Sequence, residues 1–125
     1  SCFPVRAGRQ PQRDARHRLE DILRAILDIR TFVAGLDQAA FLKTPLEDRK
    51  TFRAVTACLQ EIGEAVKALP PEVTTRHPDI PWRLIAGMRD HIAHEYFRVD
   101  ADIIWATIES GELEVLLEAV SDELK

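Results

Sequence analysis

Leu19-Glu20-Asp21-Ile22-Leu23-Arg24-Ala25-Ile26-Leu27-Asp28-Ile29-Arg30-Thr31-Phe32-Val33 decides the fold class. Leu19, Ile22, Leu23, Ile26, Ile29, Phe32 and Val33, continued by Leu36, recur at the i, i+3, i+4, i+7 spacing of a helix with one buried face. The spacing predicts a first helix over about 14–35. Upstream, Pro4, Gly8 and Pro11 interrupt a stretch without periodicity, so residues 1–12 read as an irregular extension. Residues 13–125 read as a single domain.

Downstream, residues 37–43 are expected to form a short turn of helix. Thr44-Pro45-Leu46-Glu47 then reads as a helix start. Thr44 caps, Pro45 fits the first helical position and Glu47 completes a capping box. Phe52, Val55, Leu59, Ile62, Val66 and Leu69 mark a second long helix, which Pro70-Pro71 ends. Residues 70–81 carry four prolines and read as a connecting loop; His77 is expected there without a site role. A third helix starts near Pro81. Asp100 is the candidate cap of a fourth, containing Ile103, Ile104 and Trp105. Gly111 breaks or bends it, and Leu113, Leu116, Leu117 and Val120 give the last segment its apolar side. No strand-like alternation competes with these patterns. The expectation is an all-α, up-and-down bundle of four to five helices.

A length of 125 residues with 46% apolar and only 6% aromatic residues suits one helical core. No apolar run approaches the ~20 residues that a membrane span requires, and the basic N-terminal stretch lacks the apolar segment of a secretory signal. Cys2 and Cys58 are too few and too far apart for a disulfide scaffold or a zinc site. Cys58 falls in a periodic helix and is expected to be buried. These features point to a reducing cytoplasm. The net charge of −4 hides an asymmetry: residues 1–30 hold seven arginines against four acids, and residues 100–125 hold eight acids against one lysine. Arg13, Arg16, Arg18 and Arg24 form at most a local basic patch and read as a solvated helix face. Contact with RNA should therefore be confined to a small site.

The third helix carries the chemistry. Arg89-Asp90-His91-Ile92-Ala93-His94-Glu95-Tyr96-Phe97 places a permanent cation, two imidazoles, two carboxylates and a phenol in nine residues. Wound at 100° per residue, Trp82, Ile85, Ile92, Ala93 and Tyr96 all lie within about 60° of Arg89. The arginine thus sits in an apolar stripe, where a guanidinium is costly to bury without an anionic partner. Asp90 and His94 are four apart and close enough to touch, so Asp90 can orient His94 or Arg89. Arg89 and His94 lie about 140° apart on the wheel. They converge if the long arginine reaches round, or if a second copy of the helix faces the first, which favours a homodimer.

Arg, four residues, His, one residue, Tyr resembles the signature of the HEPN domains, and of their HepT toxin branch in particular. The likeness extends through Asp48-Arg49-Lys50, Ala57–Ala65, Leu69-Pro70, Pro78-Asp79-Ile80-Pro81-Trp82, Gly87-Met88-Arg89-Asp90, His94-Glu95-Tyr96-Phe97 and Val99-Asp100, covering roughly residues 13–125. The resemblance implies a four- or five-helix bundle that dimerises through the motif region. It implies a toxin of a toxin–antitoxin pair, an endoribonuclease with Arg89 and His94 as its catalytic groups. It also implies Tyr96 as the acceptor of AMP groups from a cognate MntA-type nucleotidyltransferase antitoxin. AMP beside Arg89 would occupy the anion site and repel RNA.

The residues suit that chemistry independently. Histidine titrates near neutral pH and can take a 2′-hydroxyl proton. Arginine bonds phosphate oxygens in pairs and stabilises the charge that develops there. No cofactor or metal is needed, and the product would be a 2′,3′-cyclic phosphate. His91 reads as exposed or as a minor RNA contact. His91, His94 and Glu95 stand in an order that is neither the zincin motif nor its inverse, so no metal is expected. An arginine–aspartate pair that only staples a dimer is the plainer reading of the same spacing. Tyr96 likewise reads plainly as a buried ring with a bonded hydroxyl. A second function from another class is a non-catalytic HEPN subunit that binds a nucleotide or a nucleotidyltransferase. The chain cannot be that transferase: it lacks a Gly-Ser pair followed by spaced aspartates and a phosphate-cradling glycine loop.

Overall fold

The computed structural model describes residues 11–94 and 101–125, and the side chains of 14–90 and 101–125. Of the irregular lead expected over residues 1–12, residues 1–10 lie outside the described residues, and Pro11 and Gln12 already belong to the first helix. The described residues form seven helices and no strand: α1 (Pro11–Val33), α2 (Gln38–Glu47), α3 (Arg49–Lys67), α4 (Pro71–Thr75), α5 (Trp82–His94), α6 (Ala101–Glu109) and α7 (Glu112–Leu124). This is the all-α bundle that the periodicity predicts. The central α3 packs against α1 and against α5; α7 lies on α1 and α6, and α2 bridges α3 and α6.

The helical stripes become the core. Ile22, Ile26 and Ile29 of α1, Val55, Leu59 and Ile62 of α3, and Leu116 and Val120 of α7 are fully buried. Each such side chain removed from water contributes about 1.5–3 kcal/mol. Phe32 and Ile103, expected on buried faces, are instead exposed at their helices' edges. Cys58 is buried as expected, and burial, reinforced by Asp28 and Glu61, pushes its thiol up to about 11.

Two expectations need correction. The first concerns residues 37–47. Thr44 does not start a helix; it lies in the last turn of α2, with Pro45 inside the same helix. Proline has no N–H to give the carbonyl four residues back, here that of Phe41. The Thr44 hydroxyl donates to that oxygen instead, at 2.6 Å, in a buried position. The start of α3 falls at Asp48, whose carboxylate accepts from the Thr51 N–H at 3.3 Å and the Thr51 hydroxyl at 2.7 Å. Asp37 caps α2 in the same manner, accepting from the Ala40 N–H at 2.8 Å. The reason for so short a helix lies in Phe41, which is 0% exposed and packs on Trp105 with ring centroids 5.4 Å apart. The segment is a core plug between α3 and α6.

The second correction concerns residues 70–81. They are not only a loop, because Pro71–Thr75 forms the one-turn helix α4, with Val73 buried beneath it. The connection is also bonded to its surroundings. The Trp82 indole donates to the carbonyls of Thr74 at 3.1 Å and His77 at 2.9 Å. The start of α5 is thereby fixed one residue after Pro81. Gly111, at φ +87°, occupies the left-handed region that glycine favours and separates α6 from α7. The expected cap Asp100 lies outside the described residues.

Candidate active site

The position of Arg89 is set by a glycine on another helix. A Cβ built on Gly63 of α3 would stand 2.7 Å from the Arg89 Cβ, 2.9 Å from the Arg89 backbone nitrogen and 3.1 Å from the Ile85 carbonyl. Those neighbours are backbone and the root of a side chain, so they cannot swing away. Gly63 therefore lets α3 and α5 approach almost backbone to backbone at this one level. Arg89 springs from the apolar seam, as the helical wheel predicts, with Ile85 buried one turn earlier. Its long side chain then carries the charge out to the rim.

At the rim the guanidinium meets two carboxylates. Nη1 donates to Asp90 Oδ1 at 3.0 Å. Nε lies 3.4 Å from Glu64 Oε1, an ion pair whose geometry does not make a hydrogen bond. Nε is itself buried, whereas the side chain as a whole is 37% exposed. The hydrogen bond that Arg89 donates to Asp90, with the charge of Glu64 beside it, raises the Arg89 pKa above its ordinary value. The group is a permanent cation, anchored at its root and open at its head.

Of the residues singled out from sequence, the structure brings Arg89 and Asp90 together, and Asp90 orients the arginine. The α5 helix continues through His91 and His94, but their side chains lie outside the described residues. So do Tyr96, the contact between Asp90 and His94, and the combination of His91, His94 and Glu95. Sequence reasoning missed Gly63 and Glu64 as supports of the site. A signal existed: a glycine within the strongly amphipathic run from Val55 to Val66 is costly and marks a close approach.

A shallow groove of about 470 Å³ opens beside the arginine head, lined by Arg18 of α1, Glu64 and Lys67 of α3, Ala68, and Arg89. Arg18 and Lys67 are both exposed. Their charges add to that of Arg89 and outweigh the two carboxylates, Glu64 and Asp90. The arrangement can hold an anion and fix its oxygens.

His77 lies in the connection, as expected, and outside the Arg89 groove, but it is bonded there. Its Nε2 lies 2.7 Å from Glu123 Oε2. The same carboxylate accepts from Arg76 Nε at 2.9 Å and Nη2 at 2.6 Å. This cluster ties the end of α4 to α7.

Comparison with known proteins agrees with the architecture. A family model described as "Ribonuclease HepT-like" matches residues 22–122. A protein of Caldanaerobacter subterraneus subsp. tengcongensis named "Putative RNase" is 45% identical over 98 residues, 77% of this chain and 84% of its own length. A Thermococcus cleftensis protein named "Probable ribonuclease HepT" is 43% identical over 90 residues, 72% of this chain and 78% of its own. A Methanocaldococcus jannaschii protein, also named "Putative RNase", is 41% identical over 95 residues, 76% of this chain and 75% of its own. No solved structure matches.

Proposed function

Because the chain belongs to the ribonuclease HepT-like family, we propose that it is an endoribonuclease that cleaves RNA without a metal, as the toxin of a toxin–antitoxin pair. The observation that carries this reading is the Arg89 cation, pinned at its root by the contact with Gly63 and open at its head to an anion. A structural staple would have both ends closed. His94 takes the proton of the 2′-hydroxyl. That oxygen attacks the adjacent phosphorus while Arg89 holds the non-bridging oxygens, on which negative charge grows. The fragments carry a 2′,3′-cyclic phosphate and a 5′-hydroxyl.

The 140° between Arg89 and His94 supports a second copy facing the first across α5. The surface of α5 supports it too. Leu84 is 76% exposed and lies with Met88 and Leu113 along an apolar groove of about 390 Å³ between α5, α6 and α7. In sequence register His91 follows Leu84 by two turns, so the apolar surface and the motif imidazoles share one side of the helix. Pairing through that side covers the leucine and completes two centres.

Tyr96 is the control point. An AMP group placed on its hydroxyl by a cognate nucleotidyltransferase adds a phosphate that competes with RNA for the Arg89 anion site.

The experiment is a cleavage assay on tRNA and mRNA with the protein purified free of its partner. Wild type cuts in the presence of a metal chelator and leaves cyclic phosphate ends. Arg89→Ala and His94→Ala each slow cleavage at least about 100-fold. Full cleavage by His94→Ala defeats the assignment. A stable complex with a nucleotidyltransferase, together with an inert free protein, points instead to a binding subunit.

A further inference from the structure

The groove beside Arg89 contains two cations that the cleavage step does not use. Arg18 and Lys67 come from different helices, α1 and α3, which pack against each other, and the close approach at Gly63 brings Arg89 of α5 to the same groove. Among the described residues the site has three cations against two carboxylates, Glu64 and the Asp90 that pairs with Arg89, in a chain whose overall charge is −4. A local positive site on a negative protein concentrates one kind of ligand at one place.

We propose that Arg18 and Lys67 form a subsite for the RNA backbone next to the scissile position, holding a phosphodiester that does not react. The proposal rests on the ribonuclease reading above and adds the path of the strand. Three features argue for backbone contact. The groove runs continuously from the Arg89 head, so a strand whose phosphate lies on Arg89 carries its neighbouring phosphate past Lys67 and Arg18. Among the described residues the lining offers charge and a single alanine methyl, with no aromatic ring on which a base could stack. The groove is shallow, which suits an exposed sugar–phosphate edge.

The direction of the strand follows from the charges on either side. Further back along α3 and α1 the surface is acidic. Burial and Asp21, with Asp28 and Glu64 adding to the repulsion, push Glu61 above its ordinary value against the pull of one cation, Arg24. That side repels phosphates. The strand therefore leaves Arg89 toward Lys67, in the last turn of α3, and away from Glu61. Glu64 stands at the boundary and reduces the pull of the subsite by one charge.

The test separates this subsite from the catalytic centre because it measures binding without cleavage. The probe is a fluorescent single-stranded RNA with 2′-O-methyl groups throughout, which cannot be cut by 2′-oxygen attack. Binding is followed by anisotropy over a range of salt concentrations. Arg18→Ala/Lys67→Ala should weaken binding about tenfold or more and lower the slope of log affinity against log salt by about 1.4, since each single-strand phosphate contact contributes about 0.7. The loss should be equal for unrelated sequences, as expected of backbone contacts. Lys43→Ala/Lys50→Ala removes two exposed cations elsewhere and should leave the slope unchanged. Glu64→Gln should tighten binding several-fold. Circular dichroism confirms that each variant is folded. If wild type binds and Arg18→Ala/Lys67→Ala binds equally well with the same slope, the subsite is wrong while the nuclease reading stands. If wild type binds no RNA at any salt concentration, both are wrong.

Discussion

Arg76 and Arg89 are each set between helices against carboxylates, yet they are finished differently. Arg76 gives both Nε and Nη2 to Glu123 at 2.9 and 2.6 Å, and His77 takes the remaining approach to the same carboxylate. Glu123 is only 12% exposed, so the acceptor of the cluster is used up. Among the described residues Arg89 makes one hydrogen bond, to its sequence neighbour Asp90, and rests 3.4 Å from Glu64 without bonding it. Glu64 and Asp90 are both more than half exposed. A cation with saturated partners holds helices together. One that is fixed at its root and underbonded at its head can still take a ligand.

The largest expected effect lies on the open arginine. Arg89→Ala should cost at least about 100-fold in cleavage while the denaturation midpoint moves little, since the carboxylates it meets among the described residues are half exposed, whereas the Glu123 that Arg76 bonds is nearly buried. Arg76→Ala should do the opposite, leaving cleavage intact and lowering stability. Paired urea titrations and cleavage rates test the contrast; a large stability loss in Arg89→Ala would erase the distinction.

Next comes the device that places Arg89. Gly63→Ala should force α3 and α5 apart and cost about 1–3 kcal/mol by overpacking. Cleavage should fall with it, because the guanidinium moves with its helix. Chemical denaturation and activity at a temperature where the variant is fully folded read the two effects separately.

The closed cluster has a pH signature. Arg76 hydrogen bonding, with help from His77, lowers the Glu123 carboxyl from 4.5 to about 2. A carboxyl lowered by folding stabilises the native state above its unfolded pKa. That contribution fades as pH falls from about 4.5 toward 2. Glu123→Gln should therefore be less stable than wild type at neutral pH by about 1–2 kcal/mol, and the two proteins should converge across that acid window. Parallel stability curves would place the stabilisation elsewhere.

The smallest effect is expected where two exposed charges meet with nothing buried around them. Arg30 of α1 pairs with Glu114 of α7, and both are about half exposed. Arg30→Ala should change stability by about 0.5 kcal/mol or less. A loss as large as that from Glu123→Gln would mean that burial is not what separates the two pairs.

The same comparison explains how much could be read from the sequence. Helical periodicity located α1, α3 and α5 because apolar spacing is a local property, and the wheel put Arg89 on the seam for the same reason. What failed was contact between segments far apart in the chain. Thr44-Pro45-Leu46-Glu47 satisfies every local rule for a helix start, yet the fold uses the Thr44 hydroxyl to serve the carbonyl that Pro45 leaves without a donor. Phe41 passed unnoticed because nothing nearby announces that Trp105 will meet it. Gly63 and Glu64 gain their roles only when α5 lies across α3. Arg18 reads as a solvated cation until Lys67 stands beside it. His77 looked idle because its partner, Glu123, is 46 residues away.

The indole of Trp82 offers one more consequence. The chain has two tryptophans. Trp105 is sealed in the core against Phe41, whereas Trp82 is bonded by its N–H to two loop carbonyls at the first residue of the motif helix. Replacing Trp105 with phenylalanine leaves a single tryptophan at the start of that helix. Its emission would then register a loosening of the Arg89 platform before the rest of the molecule melts.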